Sequence, residues 1–222
     1  EDNAYLKQTI KLQNELNQSE VRSMDVNVTI SVDKEAALTL VIDKANGDFL
    51  ILKGEAQLTA GIDPTGKTSL TGKYEVSDGT YEMNFNLINR QFKIQKDSYV
   101  IWNGEPTLAN INITAIYKTK AAPIDLLGNE LATVSTTVQN TYKQRIEFET
   151  LLKLNGELMK PDISFDITIP EGNYEVSPEV INTTENKLDQ LRENPSDMNK
   201  QVFALLLLNR FVGENPFASE AG

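Results

Sequence analysis

The chain has 222 residues, and its 21 basic against 32 acidic side chains give a formal net charge of −11. So acidic a surface repels phosphate backbones, which excludes a nucleic-acid binder of the usual kind. With no Cys and no His, it has no disulfides, thiolate nucleophiles, Ser-His-Asp triads or ordinary zinc sites.

An apolar fraction of 40% with 12 Gly is enough to build a sizeable core. The length fits one or two domains, or one large all-β unit. The chain starts at Glu1 without Met, a basic n-region or an apolar h-region, and so reads as a fragment or a processed product. Its longest strongly apolar run, Val202 to Leu208, is far short of the ~20 residues of a membrane-spanning helix.

Residues 1–23 form a polar lead-in with Leu6, Ile10 and Leu16 loosely spaced. From Met24 the apolar period becomes two. Val26, Val28, Ile30 and Val32 alternate with Asn27, Thr29 and Ser31, as in a strand with one buried face. Leu38, Leu40 and Ile42 repeat the pattern, and Asn46-Gly47 turns the chain into a strand running from Phe49 through Leu58 to Gly61. Leu70, Gly72, Tyr74 and Val76 follow; Asp78-Gly79 then predicts a hairpin into Tyr81, Met83, Phe85 and Leu87. Phe92 and Ile94 form a short return. Tyr99 to Trp102 is apolar on both faces, and Ile111, Ile113, Ala115 and Tyr117 alternate again.

Residues 118–143 are mixed and predict a surface excursion with one helical turn. Two strands follow, through Ile146 to Leu154 and through Ile163 to Ile169. Beyond Pro170 the alternation stops. Asn182 with Glu185 predicts an N-cap and its partner, and Ser196 or Asp197 a second cap before Val202 to Phe211. The expected domains are thus the lead-in, a β domain over 24–170, and a polar linker with C-terminal helices over 171–222. The fold class is mainly β, an antiparallel meander with short C-terminal helices. A closed sandwich and an open apolar trough give the same alternation.

Gly61 to Thr68 matches G-x-x-x-x-G-K-[ST] at every fixed position. A phosphate loop needs a helix directly after it to present N–H groups. Here an alternating strand follows, so a turn is expected and no nucleotide. The pairs Glu147/Glu149 and Asp162/Asp166 fall on polar strand faces, where solvation explains them. No catalytic, metal or cofactor residue is assigned. The run from Val202 to Leu208 is apolar nearly all round as a helix, which predicts either a plug on the β core or a contact with a membrane or partner.

Several blocks resemble the C-terminal domain of the TamB family: Leu70-Thr-Gly-Lys-Tyr-Glu-Val76, Gly79-Thr-Tyr-Glu-Met-Asn-Phe85, Phe92-Lys-Ile94, Trp102-Asn-Gly-Glu-Pro106 and Ile113-Thr-Ala-Ile-Tyr117. Leu154-Asn-Gly-Glu-Leu-Met-Lys-Pro161 with Ile163, Phe165 and Ile167 is similar to the family's later pattern. Gln201 to Phe211 resembles its closing helix. The Trp-Asn-Gly and Leu-Leu-Asn-Arg-Phe versions look most like those of Bacteroidota. The resemblance runs from about residue 24 to 213.

The resemblance implies a long β trough (a β-taco) with an apolar inner surface, in a periplasmic parent protein anchored in the inner membrane and reaching the outer membrane. It implies a non-enzymatic role in moving phospholipid and in assembling outer-membrane proteins and autotransporters, with an outer-membrane barrel of the TamA type as partner. The alternative is a chaperone-like scaffold that binds unfolded outer-membrane proteins by β-augmentation. On either reading Leu58, Leu70, Tyr74, Met83, Phe85, Ile113, Phe148, Phe165 and Ile167 face a common interior. Val202, Phe203, Leu205, Leu206, Leu207 and Phe211 are expected to dock a partner, with Ser177 to Lys200 as a tether.

Overall fold

The computed structural model of the chain describes residues 25–172 and 175–213; the lead-in over 1–23 lies outside them. Nine strands form a single antiparallel sheet: β1 (Val26–Val32), β2 (Ala37–Asp43), β3 (Asp48–Ile62), β4 (Thr68–Phe85), β5 (Ile88–Ile94), β6 (Tyr99–Gly104), β7 (Asn110–Ala121), β8 (Ile146–Glu157) and β9 (Asp162–Thr168). The order is β1-β3-β4-β5-β7-β8-β9, with β2 also on β3 and β6 between β4 and β7. The sheet is open, which fits a trough, and the described residues contain no second sheet for a sandwich.

Its curvature follows from the two longest strands. β1 pairs with the second half of β3 and β2 with the first half. Likewise β6 pairs with the first half of β4 and β5 with the second. Between these halves the β3–β4 register shifts: Lys53 pairs with Asp78 but Gly54 with Val76, which leaves Ser77 as the extra residue. Such a bulge bends the strand and sharpens its twist. A Cβ on Gly54 would lie 2.0 Å from the Glu75 carbonyl oxygen, so only glycine permits so close an approach. Each long strand therefore serves two flaps, one on either side of the bulge.

This corrects the hairpin expected at Asp78-Gly79. β4 continues through that dipeptide without reversing, and the turn lies at Asn86-Leu87, where Asn86 takes a left-handed φ of 50°. The dipeptide favours a turn only when its neighbours pair with each other; here both sides of it pair with β3.

The excursion after β7 is shorter and more structured than expected. β7 extends to Ala121, and two short helices follow, α1 (Ile124–Leu127) and α2 (Thr136–Thr141). Leu127, Leu131 and Tyr142 bury themselves with Val180 in a small second cluster.

The C-terminal helices also start elsewhere than expected. α3 (Pro178–Arg192) begins after Ser177, with Asn182 inside it, and α4 (Pro195–Leu208) is capped by Asn194, whose side chain accepts from Ser196 N at 3.1 Å. In both, proline occupies the first turn, where its missing N–H costs nothing. Ser177 to Lys200 is thus no loose tether. Val180, Leu188 and Leu191 of α3 are buried, and the buried Lys187 forms an ion pair with the exposed Glu130. No helix among the described residues is long and apolar enough to cross a membrane.

Candidate functional site

Residues directly opposite one another across an antiparallel pair project to the same face, so the register identifies the inner surface. On β3 that face carries Leu50, Leu52, Ala56 and Leu58; against it lie Tyr81, Gly79, Tyr74 and Gly72 of β4. Val100 of β6 faces Tyr74, and Ile111 of β7 faces Val100. Leu154 and Leu152 of β8 face Ile113 and Ala115 on one side and Ile163 and Phe165 of β9 on the other.

The structure brings the nine expected interior residues into one apolar cluster. Leu58, Tyr74, Met83, Ile113, Phe148 and Ile167 are buried in it, and Leu70, Phe85 and Phe165 pack against it half-buried. Their opposites, Asn112 and Glu147 among them, face outward. Fused by the bulge, the two flaps enclose a trough lined by aliphatic and aromatic groups.

The trough is unequally covered along its length. At the β9 end α3 and α4 lie on it, and Ile167 is fully buried. At the β1–β2 end no helix among the described residues lies on it to a comparable extent. There Val28 is 45% exposed, while Ile30, Val32, Leu38, Leu40 and Ile42 are only part-buried. One end is open and the other is plugged.

The plug is α4 itself. Val202, Leu205, Leu206 and Phe211 are buried in the trough cluster, and Phe203 packs part-buried between Phe85 and Phe165, with ring centroids at 5.3 and 5.6 Å. Phe211 meets Phe148 edge-on at 4.8 Å. Of the six residues expected to dock a partner, the structure places five inside the trough and leaves Leu207 at the surface.

Polar clips hold the plug at its C-terminal end. Arg90, on the inner face of β5 opposite Met83, donates from Nε to the Leu206 carbonyl at 2.8 Å. A cation at the last turn also complements the helix dipole. Asn209, with a left-handed φ of 53°, ends the helix; its side-chain oxygen accepts from Thr119 Oγ1 at 3.3 Å and its carbonyl from Arg145 at 3.1 Å. Gln201 holds the returning chain, donating to the Val212 carbonyl at 2.7 Å and accepting from its N–H at 3.1 Å.

Elsewhere the interior is sparing with polar groups. Tyr81 donates from its hydroxyl to the buried Asp48 at 3.0 Å; burial and that carboxylate push the phenol well above its ordinary range. Tyr74 Oη and Thr150 Oγ1 are buried among the apolar side chains with no hydrogen-bond partner.

The phosphate-loop match is a turn. Residues 63–67 join β3 to β4. The Asp63 carboxylate accepts from Thr65 N at 2.9 Å, Thr65 Oγ1 at 2.6 Å and Lys67 N at 3.0 Å, so it fills the position a phosphate would need. The Thr65 hydroxyl and the Lys67 amide hold that carboxyl below its usual range. Replacing Lys67 by Ala is expected to leave the melting temperature unchanged, and calorimetry with ATP and Mg²⁺ to give no signal for either protein. A micromolar heat lost in the variant would overturn this.

The carboxylate pairs are exterior. Lys118 reaches Glu147 at 3.2 Å and Glu149 at 3.7 Å, and Asp166 accepts from Arg192 at 2.9 Å. Among the described residues no group of acidic side chains is arranged to hold a metal ion.

Sequence reasoning missed part of the lining. Leu50, Leu52, Phe92, Val100, Leu152 and Leu154 belong to the same cluster, as do Ile30, Leu38 and Leu40 at the open end. Most sit on strands whose alternation is legible, whereas Val100 sits on one that is apolar on both faces. What decides their face is the register with β3, β4 and β7, which is non-local.

A family model described as the TamB C-terminal domain matches residues 3–222. No curated protein matches the chain.

Proposed function

The chain belongs to the TamB C-terminal domain family, and from that premise we propose that its trough is a non-enzymatic conduit for phospholipid acyl chains. Membership carries a role in the TamB outer-membrane assembly module and an envelope location. The finer reading places the domain in the periplasm, in an inner-membrane-anchored parent that works with a TamA-type barrel. There the trough passes lipid toward the outer membrane and supports assembly of outer-membrane proteins and autotransporters.

One observation carries the reading: an apolar inner face, half-open at β1–β2 and stoppered at β9 by a helix the trough does not need for its backbone pairing. Acyl chains entering such a face leave water at about 0.8 kcal/mol per CH₂, while headgroups stay solvated along the open edge. Displacing α4 frees the aromatic end, from Phe85 and Phe148 to Phe165. Leu58, Leu70, Tyr74, Met83, Ile113 and Ile167 then line the path. No proton transfer is required for such a transfer.

A second reading has its own support. Among the described residues β1 pairs only with β3, and its sequence, Val26-Asn-Val-Thr-Ile-Ser-Val32, carries no charge and no proline. The β9 edge is guarded by Asp162, Asp166 and Arg192, whose Nη2 donates to the Ile167 carbonyl at 2.7 Å. Unguarded edges accept strands, which favours β-augmentation by unfolded outer-membrane proteins at β1.

Native mass spectrometry of the detergent-free protein, after incubation with phospholipid vesicles, separates the two. The conduit reading expects masses raised by whole phospholipids, and lost in Val28→Arg. A protein that stays lipid-free yet crosslinks through β1 to an unfolded barrel strand favours the second.

A further inference from the structure

Beside the plugged end, the molecule exposes apolar side chains that neither flap uses. Leu87 sits at the tip of the β4–β5 hairpin and is 101% exposed. Leu207 and Leu208, on the outer side of the last turn of α4, are 39% and 55% exposed. The two elements are tied together by the Phe85–Phe203 ring contact and by the bond from Arg90 to the Leu206 carbonyl. The three leucines therefore belong to one rim of the domain. Singly such side chains would mean little, but three leucines gathered on one rim form the kind of exposed apolar patch that marks an interaction surface.

The charges around it indicate which surface. Arg145 joins the Lys120 and Asn209 carbonyls, so Lys120, Arg145 and Arg210 gather where α4 ends, one to two residues beyond Leu208. Glu147 is paired across the strands with Lys120 and bound to Lys118. In a chain of net charge −11, this is a local concentration of cations set beside exposed leucines. Apolar tips that enter the acyl boundary, with Lys and Arg at the level of the phosphates, are the makings of an interfacial membrane contact.

We propose that this rim, Leu87 with Leu207 and Leu208, seats on an anionic bilayer surface, with Arg145 and Arg210 meeting the lipid phosphates. Contact here brings the plugged end of the trough to the bilayer. The rim needs no lipid inside the trough, so this holds independently of the conduit reading.

Flotation of the 222-residue chain with vesicles tests it, using phosphatidylcholine alone and phosphatidylcholine with about a third phosphatidylglycerol. Co-flotation is expected with the anionic vesicles and to weaken as salt rises. The double variant Leu87→Ser/Leu208→Ser and the single variant Arg210→Glu are each expected to lower the partition at least about tenfold. These positions are exposed, so unchanged melting curves confirm that folding is not the cause. Equal flotation of the variants, equal binding to neutral vesicles, or binding only once a barrel protein is reconstituted would each overturn the proposal. Val28→Arg, at the far end of the trough, is expected to float normally.

Discussion

Ile113→Arg is expected to unfold the protein, whereas Asn112→Arg, one residue away, is expected to leave it folded. Ile113 is fully buried on β7 between Leu154 of β8 and the opposite flap. An unpaired guanidinium there loses its hydration without a partner, at several kcal/mol, a large share of the 5–15 kcal/mol that typically stabilises a domain. Asn112 faces outward, where substitutions usually stay within about 0.5 kcal/mol. Asn84 is a poorer control than its alternation implies: it donates to the Gly47 carbonyl at 2.8 Å and accepts from Asn89 at 2.9 Å. Denaturant melts of the two neighbouring variants decide the matter. Equal stability would reject the strand faces assigned to β7. The open end behaves differently: Val28→Arg is expected to remain folded, because its side chain already reaches solvent.

Removing residues 196–222 is expected to have the second large effect. Met198, Val202, Leu205, Leu206 and Phe211 are all buried in the trough cluster. At about 1.5–3 kcal/mol for each fully buried side chain, their loss approaches the stability of the whole domain, as an upper bound. The strands keep their ladder, which α4 does not join, so far-UV dichroism should remain β-like. The melting temperature should fall by at least about 10 °C, and binding of an apolar dye should rise. Phospholipid or mild detergent is then expected to restore much of the loss, since either can cover the surface α4 vacates. A truncated protein that melts like the full chain would show that α4 plugs nothing. One that amphiphiles fail to rescue would separate the plug from any lipid role. Co-purification with a barrel partner gives an independent readout, expected to be lost if α4 also docks there.

The structure agrees with sequence reasoning most closely where a single strand contains the whole argument. The alternation from Val26 to Val32, from Leu38 to Ile42 and from Ile163 to Ile169 marks strands and their apolar faces, because side chains alternate at a period of two whatever the partner. The run from Val202 to Leu208 marked a helix needing more than one covered side, and α4 has Leu205 and Leu206 inside and Leu207 and Leu208 outside. Where the reasoning failed, a second segment made the decision. Asp78-Gly79 carries strong turn chemistry, yet the ladder with β3 carries β4 on through it and spends the extra residue on a bulge. Asn182 is a good cap in isolation, but Pro178 pre-sets the helix five residues' worth of chain earlier, before Val180 meets Leu127 and Tyr142.

Composition and local periodicity thus determined by themselves that this is a mainly β protein without thiol or imidazole chemistry, with an apolar helix after its strands. They also determined that Gly61 to Thr68 is a turn, since an alternating strand cannot become the helix a phosphate loop requires. Only the tertiary structure decided between sandwich and trough, and only it placed α4 as the stopper. Alternation specifies one buried face per strand but not what covers it. That depends on pairings separated by tens of residues, on the bulge at Gly54 and Ser77 that folds the sheet on itself, and on Arg90 and Asn209, which hold the last turn of α4 in the end of the trough it closes.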